Sequence, residues 1–108
     1  MKKIILFLLL TVSMNVFAVS VFTGNDLIRW FKSHDYIQIN AYVAGVIDGF
    51  ETEPEGENKR FICIPIGTEI QQISQITYNF LQKNPTKWVW TGSFIVVNAL
   101  IESYPCKK

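Results

Sequence analysis

The sequence is short of the side chains that carry chemistry. It holds one histidine, His34, and two cysteines, Cys63 and Cys106, in 108 residues. One imidazole and two thiols far apart in the chain fit no compact zinc spacing, which needs ligands two to five residues apart in pairs. Charge is close to balanced, with 10 Lys+Arg against 9 Asp+Glu. A nucleic-acid binder would carry a strongly basic face, so no nucleic acid is expected as a partner. No apolar run approaches the roughly 20 residues needed to cross a bilayer. There is no internal repeat and no composition shift that would mark a second domain. Nothing implies a cofactor or a metal.

What is present begins with an export pattern. Met1-Lys2-Lys3 is a short basic segment, Ile4 to Leu10 an unbroken apolar run, and Val16-Phe17-Ala18 a small-residue cleavage site. Residues 1–18 are therefore read as a cleaved signal peptide and Val19 to Lys108 as one small domain, located in the periplasm and free of the membrane after cleavage. An uncleaved anchor or a buried first helix is the alternative. Loss of Lys2 and Lys3 turns the formal charge of +1 into −1. In an oxidising compartment Cys63 and Cys106 are expected to pair rather than react. A domain of this size buries only about 60–65% of its unfolded surface, so a cross-link has work to do.

Along the mature chain, Thr23-Gly24-Asn25-Asp26 supplies capping residues before a first helix with Leu27, Trp30 and Phe31 on its apolar face. A second helix is expected over Tyr36 to Phe50. Its stripe is read as Ile37, Ala41, Ala44, Ile47 and Asp48, thickened by Val43 and Phe50. Ala41, Ala44 and Gly45 are small enough to let another helix approach. Residues 51–60 hold no large apolar side chain and contain Pro54 and Gly56, the mark of an exposed loop. Phe61-Ile62-Cys63-Ile64-Pro65 returns the chain in extended form. Thr68 as N-cap with Gln71 then opens a third helix whose face is Ile70, Ile73, Ile76, Thr77, Phe80 and Leu81, closed by Lys83 and Pro85. Thr91 to Tyr104 carries β-branched residues that a strand would accept. Its length, Ala99-Leu100 and the Ser103-Tyr104-Pro105 stop favour a fourth helix. The fold class is all-α, a small bundle of about four helices stapled by one disulfide.

Catalytic constellations are weak. His34 has no orienting Asn or Asp pattern, and a Cys63 or Cys106 nucleophile would leave the other thiol unpaired. Glu51, Glu53, Glu55 and Glu57 superficially resemble a calcium loop but lack its Asp/Asn ligands and closing bidentate Glu. No pair of acids stands in an apolar setting suited to glycoside hydrolysis. These glutamates instead offer a docking surface for a basic partner. Trp88 and Trp90, on either side of Val89, do not share a helical face, so one is expected in the core and the other as an exposed aromatic anchor.

The order of these features resembles the Rap/Tai immunity proteins, which protect bacteria from amidase effectors delivered by type VI secretion. The resemblance rests on Tyr42-Val43-Ala44-Gly45-Val46-Ile47-Asp48-Gly49, Phe61-Ile62-Cys63-Ile64-Pro65 and Gly67-Thr68 through Gln72. It continues through Phe80-Leu81-Gln82-Lys83-Asn84-Pro85 and Asn98-Ala99-Leu100 to Tyr104-Pro105-Cys106. It implies a mostly helical periplasmic protein, often a homodimer, with a disulfide matching Cys63–Cys106. Its implied task is to plug the substrate cleft of a cognate peptidoglycan amidase without catalysis of its own. The candidate contact residues remain Glu51, Glu53, Glu55, Glu57, Trp88 and Trp90. The rival reading is a small periplasmic acid-stress holdase chaperone, and a third is a small hydrolase dependent on His34.

Overall fold

A computed structural model describes residues 21–51 and 61–106. The expected signal peptide, residues 1–18, lies outside them. Four helices follow one another: α1 (Gly24–Lys32), α2 (Tyr36–Glu51), α3 (Ile70–Lys83) and α4 (Gly92–Ser103), with a 3₁₀ turn at Pro85–Lys87 between the last two. Among the described residues there is no strand, only two isolated bridges, Thr23 with Thr91 and Ile62 with Pro105. The all-α class and the helix count are those read from the sequence.

Local chemistry accounts for the helix ends. Asp26 sits three residues after the N-cap Thr23 and accepts the Thr23 backbone N–H at 2.9 Å, one half of a capping box. That bond, followed by Arg29, which pairs with the same carboxylate, holds the Asp26 carboxyl below its ordinary range despite some desolvation. At the other end of α1 the His34 N–H donates to the Phe31 carbonyl at 3.1 Å and the Asp35 N–H to the Trp30 carbonyl at 3.0 Å. These two bonds form a Schellman motif, which requires a left-handed residue after the cap and usually finds glycine there. Here His34 fills the position with φ 56°. The N-cap of α3 is Glu69, with the Gln72 side-chain Oε1 accepting the Glu69 N–H at 2.8 Å. This is one residue later than the sequence pattern suggested. Thr68 is instead spent on the preceding turn, its hydroxyl donating to the Pro65 carbonyl at 2.7 Å.

The core is built from Leu27, Ile39, Val43, Leu81, Ile95, Val96 and Leu100, each no more than 1% exposed. The hydroxyl of the equally buried Thr77 donates to the Ile73 carbonyl at 2.9 Å, so burying it strands no polar group. The buried face of α2 is Ile39, Val43 and Phe50, with Val46 packed alongside. Of the expected face, Val43 and Phe50 are buried and Ile47 packs against the core. Ile37, Ala41, Ala44 and Asp48 have the same spacing as the buried stripe but lie two positions away, about 200° around the helix. Ile37 is in fact 86% exposed. A helix with apolar residues all round gives periodicity two solutions, and only the partner helices choose between them.

The small residues of α2 are not where helices meet. A Cβ added at Gly45 or Gly49 would touch nothing within 4 Å. Close approach occurs elsewhere. A Cβ on Gly24 would lie 2.8 Å from the Trp88 Cα, and one on Gly92 would lie 2.5 Å from the Tyr42 hydroxyl. The backbone is sewn together at the same place: the Gly24 N–H donates to the Trp90 carbonyl at 3.0 Å and the Gly92 N–H to the Phe22 carbonyl at 2.8 Å. Burial against this seam pushes the Tyr42 hydroxyl above its ordinary pKa.

Cys63 and Cys106 form a disulfide with Cα atoms 5.0 Å apart, closing a loop of sequence separation 43. A loop of that length corresponds to about 4 kcal/mol of lost denatured-state entropy. Two backbone bonds flank it, from the Cys63 N–H to the Tyr104 carbonyl at 2.8 Å and from the Cys106 N–H to the Phe61 carbonyl at 3.4 Å. Replacing both cysteines by serine should lower the unfolding free energy by roughly 3–4 kcal/mol in denaturant titrations. Two single substitutions should move stability in opposite directions. Gly24→Ala drives a methyl into the Trp88 backbone and should cost about 2 kcal/mol or more. His34→Gly removes left-handed strain and should add about 0.5–1 kcal/mol, read as a rise in Tm.

Candidate functional site

The residues proposed from sequence divide into those the structure places and those it does not. Glu53, Glu55 and Glu57 lie outside the described residues. Glu51 is the last residue of α2, at the point where the acidic segment leaves the helix. Trp88 and Trp90 are both half-buried and both pack against the core, so the split into one core and one exposed tryptophan does not hold. Trp88 uses its polar handle internally: its indole N–H donates to the Leu81 carbonyl at 2.7 Å, tying the 3₁₀ turn to the end of α3. Trp90 faces outward in part. Its ring meets Phe94 edge-to-face at 5.0 Å, and the Lys87 ammonium stands 4.9 Å from its centroid. Val89 between them is 73% exposed, and Phe94 is half-exposed.

The exposed side of this aromatic pair opens on a groove. Gly45, Gly49 and Phe50 of α2 form one wall and Ser93, Phe94 and Val97 of α4 the other, around a volume of about 440 Å³. The groove exists because Gly45 and Gly49 present no side chain toward it. The small residues of α2 thus create a concave surface rather than a helix contact.

A second feature went unmarked in the sequence reading, a turn held by the disulfide. After Cys63 the chain runs Ile64-Pro65-Ile66-Gly67 and enters α3. Pro65 fixes its own φ, Gly67 takes φ 91°, and both the N–H and the hydroxyl of Thr68 donate to the Pro65 carbonyl, at 3.2 and 2.7 Å. The side chain at the tip, Ile66, is fully exposed at 106%. Phe61, where the chain emerges from the acidic segment, is half-exposed. An isoleucine held out in water by a proline, a left-handed glycine and a nearby cross-link has its backbone ordered before any contact is made. Its sequence signal was there, an aliphatic residue between the turn formers Pro65 and Gly67.

Chemistry on substrate has little to work with among the described residues. Both cysteines are bonded to each other, so neither is a thiolate nucleophile. His34 is exposed, and its Nδ1 lies 3.0 Å from the Tyr36 hydroxyl rather than beside a carboxylate. Among the described residues no three His, Cys, Asp or Glu side chains gather as a metal site. No described helix is long and apolar enough to cross a membrane.

Comparison with known proteins places this arrangement. No curated protein and no solved structure matches the chain. The Rap1a immunity proteins do match as a family, over residues 23–106, a span that starts at the N-cap of α1 and ends at the second cysteine of the disulfide. On a match covering all four helices, the chain belongs to the Rap1a immunity protein family.

Proposed function

We propose that this protein is a periplasmic inhibitor that binds a peptidoglycan amidase effector delivered by type VI secretion and occludes its active site. The observation that carries the reading is the family match over the whole helical domain. Occlusion needs a convex, stiff element that an enzyme cleft can receive, and the turn at Ile66 is of that kind. In this reading residues 1–18 direct export and are removed after Ala18. The protein does no chemistry of its own, and its task ends with a stoichiometric complex. Two copies acting as a homodimer fit the same role.

The contact surface is assigned by adjacency. The acidic residues Glu51, Glu53, Glu55 and Glu57 lead directly into Phe61 and the Ile66 turn. Charge on that segment accelerates encounter with a basic surface around an amidase cleft, while Ile66 supplies the apolar anchor. Trp90, with Phe94 and the groove beside it, forms a second contact region along the C-terminal half of α2, the helix that ends at Glu51.

The test is direct. An amidase encoded beside this protein's gene, purified and assayed on peptidoglycan sacculi, should lose activity in proportion to added protein. Ile66→Asp should weaken the complex about tenfold or more with an unchanged Tm, since the side chain is in water in the free protein. Neutralising Glu53, Glu55 and Glu57 together should slow association and flatten its salt dependence, with little effect on dissociation. An amidase that neither binds nor loses activity removes the proposal for this protein.

A further inference from the structure

A second cavity, of about 390 Å³, lies where the end of α1 meets the first halves of α2 and α3. Its walls include Phe31, His34, Tyr36, Asn40, Gln71 and Tyr78, and no Lys, Arg, Asp or Glu lines it. The volume falls within the range of small-molecule sites, about 300–1,000 Å³. Phe31 and Tyr78 form a tilted ring pair with centroids 4.6 Å apart. Buried Ser74 donates to the Asn40 side-chain carbonyl at 2.6 Å, which fixes the Asn40 amide and leaves its two N–H donors unused by that bond. Tyr36 is 55% exposed and lies 3.0 Å from the His34 ring.

We infer that this cavity binds a neutral saccharide. The argument is one of matched chemistry. A pyranose has two kinds of surface: weakly positive C–H faces, which pack on the negative faces of aromatic rings, and a rim of hydroxyls that both donate and accept. The cavity supplies ring surface from Phe31, Tyr36 and Tyr78. Asn40, Gln71, His34 and the tyrosine hydroxyl each donate and accept, as a hydroxyl rim requires. A phosphorylated or carboxylated ligand would bury its charge against no cation, and a lipid would strand the amides.

His34 adds a second, independent sign. A Schellman position is best served by glycine, and a histidine there holds a sparsely populated backbone conformation. Strain of this kind clusters at binding and catalytic sites, and His34 is one of the residues that line the cavity. The fold would be more stable with glycine; the cavity would lose a wall that donates and accepts.

The experiment is an ¹⁵N–¹H NMR titration of the purified, oxidised protein with cellobiose, maltose, lactose and N,N′-diacetylchitobiose, and with glucuronic acid as the charged control. At least one neutral disaccharide should shift the amides of Tyr36, Asn40, Gln71 and Tyr78, and the charged sugar should bind more weakly. Tyr36→Ala and Gln71→Ala, both at exposed side chains, should each weaken binding about fivefold or more without lowering Tm. His34→Gly should raise Tm while weakening binding by a similar factor. The proposal is overturned if no neutral disaccharide up to tens of millimolar shifts these amides. It is equally overturned if the shifts survive all three substitutions or centre on the groove at Phe94.

Discussion

The second half of this protein hangs on the bond between Cys63 and Cys106. The loop it closes contains all of α3, the 3₁₀ turn and α4, so half the bundle has its two ends joined before any core is counted. A domain this small has a core whose net stability is of the same order as the entropy such a loop removes, about 4 kcal/mol. The first half is attached by a different device, the backbone seam in which Gly24 and Gly92 take N–H bonds to Trp90 and Phe22. Side chains at either glycine would push the seam apart. One covalent tie and one glycine-enabled seam therefore hold four short helices in register.

The disulfide also decides which surface is rigid. The extended stretch from Ile62 to Pro65 is pinned on one side by the Ile62–Pro105 bridge and the Cys63–Tyr104 hydrogen bond, and on the other by entry into α3. Ile66 protrudes between the two anchors. Binding by occlusion is costly when the inserting segment must be ordered at the moment of contact, by about 0.5–1.5 kcal/mol for each immobilised side chain. At this turn the ordering has been done in the folding of the free protein.

Helix existence was legible in the sequence because each helix carries its own punctuation. Thr23 and Asp26 mark one start, Lys83 and Pro85 one stop, and Thr91 and Tyr104 became the flanking residues of α4. Helix orientation was not legible for α2. Its residues 37, 41, 44 and 48 and its residues 39, 43, 46 and 50 form equally spaced stripes, and the difference lies in what α1, α3 and α4 offer against them. For the same reason Gly45, expected with Ala41 and Ala44 to admit a helix, instead borders an open groove. The cap of α3 slipped by one residue because Thr68 had a competing use, the hydroxyl bond that stiffens the Ile66 turn.

Site residues were legible to the extent that they sit on punctuated segments. The pairing of Cys63 with Cys106 followed from compartment and scarcity, and the aromatic segment at Trp88 and Trp90 was found, though each tryptophan proved half-buried. Ile66 was passed over because a lone exposed aliphatic has no periodicity to betray it. His34 reads in the sequence as a surface or helix-ending residue rather than a base, and it does end α1, but nothing in sequence shows that a residue will take a left-handed φ. Its conformation is set by two backbone bonds that exist only once α1 ends where it does. That order of causes matters for reading small binding proteins. Their cores announce themselves through pattern, whereas candidate contact surfaces show as violations: an isoleucine in water, a histidine in a glycine's place, and glycines whose missing side chains leave a groove open. Each violation forgoes stability in a domain that has little to spare. That three of them persist in so small a chain is the physical reason for proposing that these surfaces meet other molecules, rather than reading them as an incompletely optimised fold.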